Sequence, residues 1–194
     1  MKAGFGVCMI ASVEELRARP FTIAEAREAG LERWHLHDAG WRRIGPRTYA
    51  WARLDESPAL RLGAAWLRLP AVAAFSGLTA AWLRGIDVEP CDPIEATVPK
   101  GFGIWARSGL AISRAALAGD DVVMRQTWRA TSVPRTLVDL ATRVNLTEAV
   151  ALIDMAMHAR LVDFAALNAY ATLRVDRVGV ANFRRAISHA EPGT

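Results

Sequence analysis

Cysteine and lysine are nearly absent from this chain, and each shortage excludes something. The two cysteines, Cys8 and Cys91, are too few and too far apart for a disulfide framework or a paired-thiolate metal site. They read as free thiols of a reducing cytoplasm. Lysine stands only at positions 2 and 100, so arginine supplies twenty-two of the 24 basic residues. That skew reflects GC-rich coding and carries no mechanism. No apolar run approaches the roughly 20 residues a membrane helix requires. Arg61, Arg68 and Arg84 interrupt the most hydrophobic region, and no membrane association is expected. Catalytic signatures are missing as well: there is no nucleophile elbow, and Lys100-Gly101-Phe102-Gly103 lacks the full spacing of a phosphate-binding loop, so it reads as an ordinary connection between strands. His35 and His37 stand two apart with no cysteine or carboxylate at ligand spacing, which argues against zinc. No enzymatic activity, cofactor or metal is expected.

What is present is material for a core and a local excess of positive charge. With 194 residues, 52% of them hydrophobic, the chain can form one large domain or two small ones. The net charge of +4 comes mostly from the first 54 residues. Between Arg33 and Arg53 five arginines face a single acid, Asp38, whereas residues 55 to 194 carry fifteen basic and fourteen acidic side chains. Such a footprint suits a polyanion. The start, MKAGFGVCMIASVEEL, weakly imitates a signal peptide, but its apolar patch is short and Glu14 and Glu15 follow at once. A frayed tail before a first helix near Ser12 to Arg19 is expected, opened by a capping box of Ser12 and Glu15.

The segment FTIAEAREAGLERWHLHDAGWRRIGPRTYAW is the most informative. Thr22 and Glu25 make a second capping box, Ile23, Ala26 and Ala29 form a narrow apolar stripe, and Gly30 is a left-handed stop, which predicts a helix of about two turns. A second short helix is predicted from Glu32 to Ala39, anchored by Leu31 and Leu36 and ended by Gly40. Trp41 to Ile44 and Thr48 to Trp51 then read as strands joined by Gly45-Pro46-Arg47. Two helices followed by a basic hairpin is the order of a winged helix-turn-helix, a DNA-reading unit. Its candidate contacts are Arg33, Trp34, His35 and His37 toward base edges and phosphates, and Arg42, Arg43 and Arg47 on the wing. Trp34, Trp41 and Trp51 can stack on sugars, but they read mainly as the core that pins the wing.

Asp55-Glu56-Ser57-Pro58 is a polar break, so residues 1-54 are expected to form the winged helix-turn-helix and residues 59-194 a second domain. Helices are predicted over about 59–69, 78–83, 133–143, 147–158, 163–173 and 180–189. Strands are predicted at 94–98, at 110–113 and, more loosely, over 122–130. The fold class is therefore α+β, a winged helix-turn-helix followed by a mixed helical domain with a small β-sheet. In the predicted helix over 133–143, which opens at TSVPRTLVD, Arg135 and Asp139 are four apart and can pair on one face.

Taken in order, FTIAEAREAGL, GWRRIGPRTYAW, AAFSGLTAAWLRGIDVEPCDPIEATVPK, ATSVPRTLVDLA and LTEAVALIDMAMHARLV resemble segments of the winged-helix antitoxins of the abortive-infection AbiE type, in particular the actinobacterial AbiEi-like group. They cover most of residues 20 to 165. The resemblance implies an N-terminal domain that binds double-stranded DNA and represses its own operon. It also implies a C-terminal domain that, in true antitoxins, opposes a nucleotidyltransferase-type toxin. Longer members continue into a very-short-patch-repair-like endonuclease domain with acidic metal-binding residues, and this sequence carries no such set up to Thr194. The connection from Leu36 to Trp41 is shorter than in many relatives, which weakens base-specific readout and shifts the expected affinity toward the wing arginines. The leading expectation is a DNA-binding regulator of antitoxin type, acting as a homodimer or on repeated half-sites. The alternatives are a non-catalytic, DNA-targeting front half of an endonuclease and a protein-interaction module with a degenerate winged helix.

Overall fold

The computed structural model describes residues 12–89, 92–103, 109–125, 127–174 and 176–190; the expected N-terminal tail and both cysteines lie outside the described residues. The chain divides into two compact units, Met1–Leu69 and Pro70–Thr194.

In the first unit the helix starts follow local chemistry. Ser12 opens α1 (Val13–Ala18): its hydroxyl accepts from the Glu15 N–H at 3.2 Å, and the Glu15 carboxylate accepts from the Ser12 N–H at 2.9 Å. Thr22 and Glu25 repeat the arrangement at the start of α2 (Ile23–Glu28), with distances of 3.2 and 2.8 Å. Both boxes satisfy helix N–H groups that have no partner within the helix. Gly30 and Leu31 close α2 with N–H bonds back to the Arg27 and Ala26 carbonyls, the pair of bonds that defines a Schellman ending.

Strand β1 (Phe21–Thr22) joins a hairpin of β2 (Trp41–Gly45) and β3 (Thr48–Trp51) in an antiparallel sheet of order β1-β3-β2. Phe21 is fully buried, with Trp41 edge-on at 5.1 Å and Tyr49 stacked at 6.2 Å. Leu16, Ala26 and Leu36 complete this small core. Helix, strand, helix and hairpin follow one another in this unit, but of the two helices expected between Phe21 and the hairpin only α2 is an α-helix. The polar break at 55–58 carries the start of α3 (Pro58–Trp66), where the Ser57 hydroxyl accepts from the Leu60 N–H at 3.2 Å. The compact units part later, between Leu69 and Pro70.

The second unit is a five-stranded mixed sheet with helices packed together beside it. Strand β4 (Ala74–Phe75) pairs antiparallel with β5 (Ile94–Val98) and parallel with β8 (Trp128–Thr131). Outward from these, β5 runs parallel to β6 (Leu110–Arg114), and β7 (Val122–Arg125) is antiparallel to β8. The order is β6-β5-β4-β8-β7. The expected single strand over 122–130 is thus a hairpin, and β4 was not foreseen. The helices α4 (Gly77–Arg84), α5 (Val133–Ala141), α6 (Leu146–His158), α7 (Phe164–Leu173) and α8 (Val180–His189) fall close to their predicted positions. Most of α5 is buried: Leu137, Val138 and Leu140 meet Ile153 of α6, Leu167 of α7 and Phe183 of α8 in one core.

Packing leaves no room for a side chain where α8 begins. A Cβ on Gly179, whose φ is +91°, would lie 2.8 Å from the Val138 carbonyl oxygen and 2.5 Å from the Thr142 methyl. Gly85 has a similar φ of +88° but open space around it. Gly85→Ala should therefore cost only the left-handed penalty of about 1–2 kcal/mol. Gly179→Ala adds overpacking of about 1–3 kcal/mol. Urea denaturation of the two variants checks the difference, and equal losses would mean that α5 and α8 are less closely packed than described.

A buried polar network ties this unit together. The Asp121 carboxylate accepts from the Tyr170 hydroxyl at 2.6 Å and from the Arg135 and Arg177 guanidiniums at 2.8 Å each. Arg135, 2% exposed, also donates to both carboxylate oxygens of Asp139 at 2.9 and 2.8 Å, and to the Ala116 carbonyl at 2.9 Å. The expected Arg135–Asp139 pair is thus one edge of a larger cluster.

Candidate nucleic-acid interface

Between the end of α2 and the hairpin the structure differs from expectation. The predicted helix over Glu32 to Ala39 is a single 3-10 turn, His35–His37. Its N–H groups bond three residues back: His35 to Glu32 at 3.0 Å, His37 to Trp34 at 3.0 Å and Asp38 to His35 at 3.1 Å. The reason is a shortage of anchors. Leu36 alone is buried and Leu31 only half-buried, so no second apolar row holds a helix of 3.6 residues per turn. The His35 ring closes the segment locally, its Nδ1 accepting from the Glu32 N–H at 2.9 Å. The Trp41 N–H then bonds the Asp38 carbonyl at 3.1 Å and directs the chain into the hairpin.

Four of the candidate contacts come from this turn. Arg33 and His37 are exposed, and Trp34, expected mainly in the core, is instead 63% exposed with its ring stacked on His35 at 3.5 Å between centroids. His35 itself is half-buried and its Nδ1 is already engaged, which leaves Nε2 as the nitrogen that can carry a donor proton outward.

The wing arginines separate according to strand geometry. Successive strand residues face opposite sides of a sheet. Arg42 lies opposite Ala50, and Arg43 opposite Tyr49. Arg42 is half-buried; its guanidinium donates to the Leu54 carbonyl at 2.7 Å and lies 3.5 Å from the Glu56 carboxylate. It braces the hairpin to the chain that follows. Arg43 is exposed and spends only its Nε, on the Gly45 carbonyl at 3.2 Å. Arg47 is exposed at the tip, at a φ of 59° that favours glycine.

The remaining tryptophans of the unit are in the packing. Trp41 abuts Phe21, and the Trp51 ring has the Arg17 and Arg53 guanidiniums within 6.0 and 5.8 Å of its centroid. Burial acts to raise the Glu25 carboxyl, but the Thr22 amide, together with Arg19 and the Thr22 hydroxyl, outweighs it and holds the group below its ordinary value. That keeps the α2 capping box ionised. Among the described residues no cluster of histidine, cysteine and carboxylate side chains could hold a metal ion, and no helix is long and apolar enough to cross a membrane. Lys100 to Gly103 follow β5 as a loop.

Of the seven candidate side chains, the exposed ones are Arg33, Trp34 and His37 from the turn, and Arg43 and Arg47 from the wing. These side chains can supply cationic donors to phosphates and one exposed aromatic face.

Comparison with known proteins concerns mainly the second unit. Residues 72–186 match the family model described as the AbiEi antitoxin C-terminal domain. No curated protein matches the chain significantly. Among solved structures, the RV2827C protein from Mycobacterium tuberculosis is similar over 91% of this chain and 78% of that one, with a TM-score of 0.56 and 16% sequence identity. At that identity the similarity speaks to the fold alone.

Proposed function

Because the chain belongs to the AbiEi antitoxin C-terminal domain family, we propose that it is an antitoxin-type regulator that binds double-stranded DNA, represses its own operon and opposes a nucleotidyltransferase toxin. One observation carries the DNA reading: two exposed arginines, Arg43 and Arg47, stand on a wing within the segment that holds the chain's positive excess. Arg47 also occupies a backbone conformation that costs a side chain about 1–2 kcal/mol relative to a right-handed one. An arginine kept where glycine is cheaper supports a role for the side chain itself.

The mechanism follows from the division of labour. Arg43 and Arg47 hold phosphates or enter the minor groove, while the single turn presents Arg33, Trp34 and His37 to base edges. A turn this short reads few bases, so phosphate contacts dominate and binding is strongly salt-dependent. Useful specificity then comes from a homodimer or from repeated half-sites in the cytoplasm, and no catalytic step is assigned to the chain. A gel shift with the chain's own promoter region, at two salt concentrations, tests the proposal. A shift at micromolar protein that weakens sharply at the higher salt is expected. No salt-sensitive shift would overturn it in favour of a protein-interaction module.

A further inference from the structure

Within the second unit a cleft of about 660 Å³ opens beside α5, with Arg135 and Asp139 in its lining and Lys100, Arg114, Arg174 and Arg177 around them. Five cationic side chains thus meet two carboxylates, the second being Asp176. A neighbouring hollow of about 190 Å³, lined in part by Ser76, Thr97 and Ser113, shares Arg135, Asp139 and Thr142 with it. The network described above positions this wall: Arg177 is held by Asp121 at 2.8 Å, and Arg174 donates to both oxygens of Asp120 at 2.6 Å.

Each of these two arginines keeps a buried Nε–H without a hydrogen-bond partner. An unpaired buried donor costs about 1–3 kcal/mol. The same holds for Arg42 and Arg129 outside the cleft, so it is the excess of five cationic side chains over two carboxylates in the lining that calls for an anion. Size and charge pattern narrow its class. The cleft falls within the roughly 300–1,000 Å³ typical of small-molecule sites. Bare phosphate would leave most of it empty. Asp139 and Asp176 would repel an extended polyanion such as a nucleic-acid backbone, yet they can accept from hydroxyl or amino groups. Leu173 and Val178, 71% and 81% exposed, add apolar surface in the same lining.

We propose that this cleft binds a phosphorylated small molecule whose organic part carries hydroxyl or amino donors, with Lys100, Arg174 and Arg177 taking the phosphate and Asp139 and Asp176 the donors. All of its lining belongs to the second unit.

Isothermal titration of the full chain without DNA tests it, with ADP, glucose 6-phosphate, inorganic phosphate and adenosine as probes. Binding of ADP or glucose 6-phosphate is expected at least ten-fold tighter than that of inorganic phosphate, with no heat from adenosine, and the better of the two identifies the organic part. Lys100→Ala, at an exposed position, should weaken that ligand several-fold with an unchanged melting temperature, and Asp176→Asn should alter its affinity by a comparable factor. Silence of both phosphorylated probes at millimolar concentration overturns the proposal. So does unchanged affinity in both variants, or displacement of the bound ligand by a short DNA duplex, which would reassign the cleft to nucleic acid.

Discussion

Asp121→Asn is expected to lower stability by about 3–5 kcal/mol, because it leaves the buried Arg135 guanidinium short of a counter-charge. Asp121 is fully buried, and its carboxylate gathers Tyr170 from α7, Arg135 from α5, Arg177 from the segment before α8 and the Ala118 amide at 3.0 Å. Removing its charge therefore loosens β7, α5, α7 and the segment before α8 together. Burial pushes the carboxyl up, but the Tyr170 hydroxyl, the Ala118 amide and the two arginines outweigh it, and the group is held below its ordinary value. A carboxyl depressed in the folded state contributes its full stability above the unfolded value of about 3.9 and loses it as pH falls through the lower folded value. The parent chain should thus lose stability progressively below about pH 4, and Asp121→Asn should show a flatter acid limb. Tyr170→Phe removes one hydrogen bond to a charged group and should cost less, about 1.5–3 kcal/mol. Urea midpoints at neutral pH and across pH 3 to 5 read all three effects. A midpoint for Asp121→Asn equal to that of the parent would mean that the network does not hold the unit together.

How far the fold could be read from the sequence depended on the range of the interaction concerned. The Ser12–Glu15 and Thr22–Glu25 boxes span three residues, so spacing alone announces them, and the Schellman ending at Gly30 is equally local. The hairpin was legible because Gly45-Pro46-Arg47 separates two runs suited to strands. By contrast, β4 is two residues long and exists only because β5 and β8 pair with it on either side. The β7–β8 hairpin has no glycine or proline between Arg125 and Trp128, so its loose alternation reads as one strand. Helical spacing pairs Arg135 with Asp139, but its second carboxylate, Asp121, is fourteen residues away and Tyr170 another forty-nine from that. No sequence period reports such a meeting. The predicted helix at Glu32 failed for an energetic reason: capping and terminating residues were present, but one buried leucine does not sustain two turns.

The same distinction between local and tertiary information decides which wing arginines to change. Adjacent in sequence, Arg42 and Arg43 look interchangeable; the strand sends one to the Leu54 carbonyl and leaves the other exposed. Replacing Arg43 and Arg47 together with alanine should weaken every duplex alike and flatten the log–log salt slope by about two, since each lost phosphate contact removes roughly 0.9. Arg42→Ala should leave that slope in place and instead cost the hairpin stability, by about 1.5–3 kcal/mol if its charged hydrogen bond is typical. Arg47→Gly supplies the sharpest contrast. Glycine accepts the left-handed φ of 59° without penalty, so the variant should be as stable as the parent or up to about 1 kcal/mol more stable, while its salt slope falls by about one. Stability and binding would then move in opposite directions at one residue, the behaviour of a side chain retained for contact rather than for folding. Filter-binding titrations over a salt series, paired with thermal melts, measure both. An unchanged slope in the Arg43, Arg47 double variant would remove the wing from the interface and leave the exposed turn with Arg33, Trp34 and His37 as the only part of the proposed surface able to hold DNA.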